Sequence, residues 1–167
     1  MPIEFEYKYL VEKVPDQFVN RLSHCCIEQF YITNDTKTFM STRAREKWYS
    51  GNNEPTHWVT HKIGSGPSVM ETEYQIDKKH YQELKKHFKI GNIIKKTRAV
   101  IRIDSREWDV DIFENGMVVA ELEKPPYYLK VPKVFGRHRN VTKDEIFKNV
   151  YMAMWGLPTR EYLETLL

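Results

Sequence analysis

The chain has 167 residues, of which 41% are hydrophobic and 13% aromatic, which predicts one folded domain and argues against disorder. The 26 Lys and Arg residues nearly balance the 23 Asp and Glu residues, so the net charge of +3 does not require a nucleic-acid partner. No apolar run approaches the ~20 residues of a membrane span, and the charged N-terminus does not resemble a signal peptide. These features predict a single cytoplasmic domain over residues 1–167 that binds neither membranes nor nucleic acid.

The first predicted strand covers residues 3–10, where charged and aromatic residues alternate with a period of two. A helix is predicted to follow from Pro15 and Asp16. Its apolar positions are Phe18, Leu22, Cys25 and Cys26. Because adjacent Cα atoms lie closer together than a disulfide usually allows, two reduced thiols are expected rather than a strained vicinal bridge. Reduced cysteines fit a cytosolic protein.

Seven further strands are predicted, most of them joined by tight turns. They cover residues 29–33, 39–48, 58–63, 69–76, 93–104, 107–113 and 117–124. A helix over residues 77–88, ended by Gly91 and Asn92, separates two of them, and residues 142–167 are predicted to form helices broken near Gly156 and Pro158. Tight turns favour antiparallel pairing, and closure removes exposed sheet edges. The sequence therefore predicts an α+β fold: a closed, eight-stranded antiparallel barrel covered by helices.

Charged residues inside the predicted strands recur at i and i+2, with the same sign and on the same face, opposite an apolar face. The acids are Glu4, Glu6, Glu71, Glu73, Asp111, Glu121 and Glu123; the bases are Lys8, Arg43, Arg45, Lys62, Lys96 and Arg98. On any one strand this pattern is typical of a solvated face. Its recurrence along the chain favours a barrel with a charged lumen and an apolar outer wall, an arrangement that is costly unless the lumen is wet or holds ions.

Such a lumen suits a particular chemistry. Several cationic side chains, among them forked guanidinium groups, match the oxygens of a phosphate chain. Clustered carboxylates suit a hard divalent cation such as Mg²⁺ or Mn²⁺. A phosphate clamp beside carboxylate-bound metal is the equipment of phosphoryl transfer, and an extended polyphosphate matches the shape of a tunnel.

The ordered series of these motifs resembles the CYTH-domain family, the triphosphate tunnel metalloenzymes, over residues 3 to about 150. Residues 4–8 resemble its ExExK motif, residues 43–45 resemble its RxR motif, and residues 62–66 resemble its lysine strand and turn. Residues 71–73 resemble its ExE motif and residues 96–98 its KxR motif. Residues 108–113 resemble its aspartate strand, and residues 120–123 resemble the AExE motif that closes the series.

The resemblance implies a role for each matched residue. Lys8, Arg43, Arg45, Lys62, Lys96 and Arg98 would bind the triphosphate. Glu4, Glu6, Glu121 and Glu123, with Asp111, would hold Mg²⁺ or Mn²⁺. Glu4, Glu6, Lys8, Glu71 and Glu73 would take part in catalysis, with Glu71 and Glu73 ordering the basic residues or helping to place a second metal and the attacking water.

The expected activity is metal-dependent hydrolysis of inorganic tripolyphosphate to pyrophosphate and phosphate. Four alternatives share the same clamp: a nucleoside triphosphatase, a thiamine triphosphatase, a class IV-type adenylyl cyclase and a non-catalytic module that binds polyphosphate or nucleotides. In each case the expected partner is a small triphosphate, and the protein is expected to be a monomer or homodimer.

Overall fold

The computed structural model describes residues 3–16, 24–64, 68–123 and 129–167, and of residues 3–5 and 68 it describes the backbone. The strands are β1 (Ile3–Val11), β2 (His24–Asp35), β3 (Met40–Tyr49), β4 (Thr56–Ile63), β5 (Ser68–Ile76), β6 (Ile90–Ile103), β7 (Arg106–Phe113), β8 (Val118–Glu123) and β9 (His138–Asn140). The α-helices described are α1 (Lys78–His87), α2 (Asn149–Trp155) and α3 (Arg160–Leu166), with short 3₁₀ turns at Lys133–Phe135 and Glu145–Phe147. No helix in these parts of the chain is long and apolar enough to cross a membrane.

The nine strands form one antiparallel sheet in the order β5-β4-β3-β2-β6-β7-β8-β1-β9. β1 also pairs with β5, through Ile3 with Met70, Glu4 with Val69, and Phe5 with Ser68. The predicted α+β class and the antiparallel pairing are therefore confirmed. The finer prediction, a barrel closed by eight strands, stays a prediction.

Several predicted elements differ from those observed. Cys25 and Cys26 are free thiols in β2 and not on a helix; one is buried and the other exposed, as strand alternation requires. The rest of that predicted helix, residues 17–23, lies outside the described residues, as does Lys124 at the end of the last predicted strand. α1 ends before Gly91, which belongs to β6, and β9 was not predicted because its three exposed residues are polar and few.

Two clusters of buried side chains lie on the face of the sheet opposite the charged residues. In the first, Trp108 and Val110 of β7 and Leu122 of β8 pack beneath Phe135. In the second, Phe30 and Val59 pack beneath Tyr81 of α1. The side chain of Asp77 caps α1 by accepting a hydrogen bond from the His80 backbone at 2.7 Å. Because these apolar side chains are buried on one side of the sheet, the charged side chains of the same strands lie on its other side.

The third cluster lies on the same face as the charged residues, at one end of the sheet. Leu10 and Val119 lie two residues from Lys8 and Glu121, and so on the same face. They pack with Met152 and Ala153 of α2. Gly91 permits this docking, because a Cβ atom built there would lie 2.5 Å from the carbonyl oxygen of Ala153. The C-terminal helices therefore cover one end of the charged face.

Candidate functional site

A cavity of about 910 Å³ extends along the charged face of the sheet. At one end it is lined by charged side chains, including Lys47, Arg106 and Glu123; at the other it reaches Phe39 and Trp155. Ten of the predicted site residues line it: Glu6, Lys8, Arg43, Arg45, Lys62, Glu71, Glu73, Arg98, Glu121 and Glu123. The charged strand faces therefore meet around a single volume, although they lie far apart in the sequence.

Arg43 and Arg45, which we call the arginine pair, lie on β3 next to two acids from β5. A nitrogen of Arg45 contacts Glu73 Oε2 at 2.7 Å and Thr60 Oγ1 at 3.3 Å. Arg43 has a weaker ionic contact, since its closest approach to Glu71 is 3.7 Å, and another partner is the Tyr31 side chain, with which it forms a hydrogen bond. Glu71 also contacts Lys62 at 2.5 Å, so the acids of β5 order the basic side chains of β3 and β4.

The arginine pair is buried but incompletely hydrogen-bonded. The Nε atoms of both Arg43 and Arg45 have no partner among the described residues. Burial, and then the charge of Arg43, lowers the pKa of Arg45 well below its ordinary value, to about 10. Because an unpaired buried donor is unfavourable, this part of the cavity is well suited to accept an anion.

Arg98 on β6 has a different environment, which we call the Arg98 network. Its Nε donates to Asp111 Oδ1 at 2.7 Å and its Nη1 to Asp109 Oδ2 at 2.8 Å. Its Nη2 is shared by Asp111 Oδ2 at 2.8 Å and Glu121 Oε2 at 3.0 Å. All three nitrogens of Arg98 are thus engaged by carboxylates of β7 and β8.

Lys8 and Lys96 extend the Arg98 network. Lys8 Nζ contacts Glu121 Oε1 at 2.9 Å; burial alone would lower the pKa of Lys8, but Glu121 and Glu6 outweigh it and raise that pKa. Lys96 Nζ contacts Asp111 Oδ2 at 2.5 Å, and burial lowers the pKa of Lys96 to about 8 despite that carboxylate. Both side chains of the Lys96–Asp111 pair are 1% exposed, and neither lines the cavity.

The carboxylates predicted to hold a metal are divided between two environments. Asp111 and Glu121 are engaged by cations on both oxygens, which favours a structural role for Asp111. Glu6 and Glu123 instead face each other as directly opposed residues of β1 and β8. Like charges in that arrangement destabilise a sheet unless a cation lies nearby, and here the ammonium group of Lys8 lies 3.9 Å from Glu6 Oε1. The side chain of Glu4 lies outside the described part.

A second pair of like charges lies beside the first, because Asp109 of β7 is directly opposite Glu121 of β8. Burial raises the pKa of Asp109, and Glu121, Asp111 and Glu123 raise it further against the opposing effect of Arg98. Oxygen donors of this kind fit Mg²⁺ or Mn²⁺ in chemical type. As they stand, no three His, Cys, Asp or Glu side chains within the described ranges are grouped closely enough to hold an ion.

Asp109, Lys47 and Thr60 contribute to the cavity or its network but were absent from the predicted site. Asp109 could have been found, because it lies two residues from Asp111 on the same strand face. Lys47 continues the alternation of Arg43 and Arg45, and its Nζ contacts Glu73 at 3.0 Å. Thr60 carries no such signal, because a buried threonine in a strand is typical of ordinary packing.

Comparison with known proteins identifies a fold but no function. No family model matches the sequence. The comparison with curated proteins also finds no match. Among solved structures, the PH1819 protein of Pyrococcus horikoshii OT3 is similar with a TM-score of 0.56 at 18% identity, over 78% of this chain and 81% of that one. The PH1012 protein of the same organism gives 0.51 at 15% identity, over 75% and 80% of the two chains. A conserved hypothetical protein from Pyrococcus furiosus gives 0.50 at 19% identity, over 79% and 83%.

Proposed function

We propose that this protein is a metal-dependent triphosphatase that hydrolyses inorganic tripolyphosphate to pyrophosphate and phosphate. The observation that carries the proposal is the arginine pair, two buried guanidinium groups with unpaired Nε atoms on the wall of a large cavity. Lys8, Lys62 and Arg98 add cationic side chains to the same cavity. A concentration of buried cations matches the dense charge of a phosphate chain.

The chain's own residues would act by binding and by charge stabilisation. Arg43 and Arg45 have donors to offer to non-bridging phosphate oxygens; Glu71 and Thr60 hold the two side chains at the cavity wall, and the phosphate chain would take the place of Glu73 on Arg45. Donors fixed before the reaction stabilise negative charge that develops during phosphoryl transfer. Lys8, held by Glu121, would contact the chain from another wall of the cavity, whereas Arg98, already paired through all three nitrogens, would add positive charge to that wall.

A divalent cation would be held where two carboxylates face each other at the charged end of the cavity. Glu6 and Glu123 would hold it together with Glu4, whereas Asp111, already paired with Lys96 and Arg98, would not. When bound, Mg²⁺ or Mn²⁺ would neutralise phosphate oxygens and polarise a water molecule.

A tunnel closed on all sides is part of this proposal. The pairing of β1 with both β8 and β5 supports it. β5 lies at one edge of the strand order and β1 near the other, so β1 connects the two ends of the sheet. A tunnel would surround an extended phosphate chain and exclude bulkier anions. The cytoplasmic location that we also propose rests on the free thiols of Cys25 and Cys26.

The first test is phosphate release from tripolyphosphate, ATP and thiamine triphosphate, measured side by side with Mg²⁺ or Mn²⁺. We expect a large preference for tripolyphosphate, loss of activity with a chelator and recovery when metal is restored. Equal activity on ATP would contradict the proposed substrate, and turnover in the presence of the chelator would contradict the mechanism. Cyclic nucleotide formation from ATP would identify a cyclase instead.

Glu6→Gln tests the metal site in the same assay. We expect metal-dependent turnover to fall to background while the protein stays folded, because the substitution relieves repulsion with Glu123. Glu12→Gln is the matched control, since Glu12 lies beyond the same strand and pairs with exposed Arg137. Normal turnover in Glu6→Gln would remove Glu6 from the proposed metal site.

A further inference from the structure

Gln29 of β2 is a buried polar side chain that the site described above does not use. It is 0% exposed, and neither its amide nitrogen nor its amide oxygen has a hydrogen-bond partner among the described residues. Most buried polar groups in proteins are paired, and an unpaired buried amide destabilises the fold. The buried amide of Gln29 therefore needs a role that offsets its cost, such as a hydrogen bond that forms when a ligand binds.

The position of Gln29 supplies one. Gln29 is directly opposite Arg45 in the β2–β3 pairing, so both side chains lie on the same face of the sheet as neighbours. The register of β2 against β6 shifts between Gln29 and Tyr31, an irregularity of the kind that re-aims side chains next to functional sites.

The unpaired atoms of the two residues are complementary. Arg45 Nε is a buried donor without an acceptor, and Gln29 Oε1 is a buried acceptor without a donor. A nitrogen of the Arg45 guanidinium contacts Glu73 Oε2 at 2.7 Å. A phosphate chain would compete with Glu73 for the same guanidinium nitrogens.

We propose that Gln29 is a positioning residue for Arg45: its Oε1 accepts a hydrogen bond from Arg45 Nε when the guanidinium turns from Glu73 to a bound phosphate chain. This role rests on the proposed function of the cavity. It explains why an amide that destabilises the unliganded protein is placed beside the arginine pair, and it assigns the amide to anion binding and not to the core.

The test compares wild-type protein with Gln29→Leu, which replaces the side-chain amide with an apolar branched side chain of similar size. Tripolyphosphate affinity is measured by calorimetry without divalent cations, so that no hydrolysis occurs, and Tm is measured without ligand. We expect at least tenfold weaker binding by Q29L together with an equal or higher Tm. Ile94→Leu, at the residue opposite Gln29 on β6, is the matched packing control and should keep wild-type affinity.

Unchanged affinity in Q29L overturns the role of Gln29, as does weaker binding accompanied by a lower Tm or by the same loss in I94L. Wild-type protein that does not bind tripolyphosphate overturns both this role and the proposed function. Should Q29L fail to fold, the side-chain amide signal of Gln29 in wild-type protein provides the test by nitrogen-15 NMR. The signal should shift on addition of tripolyphosphate; a fixed signal, while that of Arg45 Nε moves, overturns the proposal.

Discussion

Two groups of cationic side chains line different walls of one cavity and differ in how fully their hydrogen bonds are used. Arg98 is engaged through all three of its nitrogens by Asp109, Asp111 and Glu121. Arg43 has one carboxylate neighbour, at 3.7 Å, and an Nε atom without a partner among the described residues. Yet the Arg43 side chain is the more buried of the two, 11% exposed against 21% for Arg98.

This difference separates structural charges from those suited to binding. A buried guanidinium that is fully paired has its desolvation cost offset by its partners, whereas one that is partly paired retains the capacity to bind an anion. By this criterion Arg98 mainly holds β6, β7 and β8 together, and the arginine pair offers donors to a ligand. Substitutions in the two groups should therefore affect different properties.

The largest expected effect is on stability, from Asp111→Ala in the Arg98 network. The substitution leaves Lys96 and Arg98 without their shared buried carboxylate, so we expect the free energy of unfolding to fall by about 3–5 kcal/mol. Asp109→Ala is the control, because Asp109 is 33% exposed and its one ion pair within the described residues is with Arg98; it should cost less than about 1 kcal/mol. Equal losses in urea titrations of the two variants would contradict a structural role centred on Asp111.

Next in size is the effect of Arg43→Ala on binding. We expect tripolyphosphate binding to weaken by about 2 kcal/mol or more, because a buried charge-assisted contact is lost, with little change in Tm. Calorimetry provides the measurement. Arg139→Ala removes the same charge from exposed β9, outside the cavity, and should preserve affinity. Unchanged affinity in R43A would place Arg43 outside the binding site.

Much of this arrangement was predictable from the sequence, because strand alternation carries it. The period-two charges of residues 43–45 and 71–73 correctly predicted which side chains share a face. The same rule failed at Cys25 and Cys26. These two adjacent apolar residues fit the spacing of a helix as well as they fit the start of a strand. The short strand β9 follows from backbone pairing with β1, which three polar residues do not reveal.

How fully each charged side chain in and beside the cavity is hydrogen-bonded was not predictable. The pattern placed Lys96, Arg98 and Arg43 in one class of triphosphate ligands, but their hydrogen bonding differs because it depends on which strands become neighbours. Asp111 reaches both Lys96 and Arg98 only because β6 pairs with β7 in this register. The sequence tells which side chains are charged. The topology of the sheet decides how many hydrogen-bond and ion-pair partners each of them has.

Glu73→Gln would sharpen the comparison by loosening the hold on the arginine pair. Glu73 contacts Arg45 at 2.7 Å and Lys47 at 3.0 Å and would compete with a bound anion for both. We expect E73Q to bind tripolyphosphate a fewfold more tightly in the absence of metal. Glu46→Gln is the control, since Glu46 pairs with His57 and does not line the cavity. Weaker binding by E73Q would show that Glu73 pre-orders Arg45 more than it competes for it.

The smallest expected effect is the pH dependence of the Glu73–Arg45 contact. Burial alone would raise the pKa of Glu73, but Arg45, Thr60 and Lys47 outweigh it and lower that pKa from 4.5 to about 2. A carboxyl group whose pKa is lower in the folded state stabilises the fold fully above the unfolded-state value, and this contribution is lost as the pH falls toward the folded-state value. The difference in unfolding free energy between wild-type protein and E73Q should therefore shrink between pH 5 and pH 2. Because Glu73 is half-buried and screened by solvent, we expect the total change to stay below about 1 kcal/mol.

A difference that stays constant across this range would mean that the Glu73 carboxylate contributes no charge-dependent stability, and that the arginine pair is held by Glu71 and Thr60 instead.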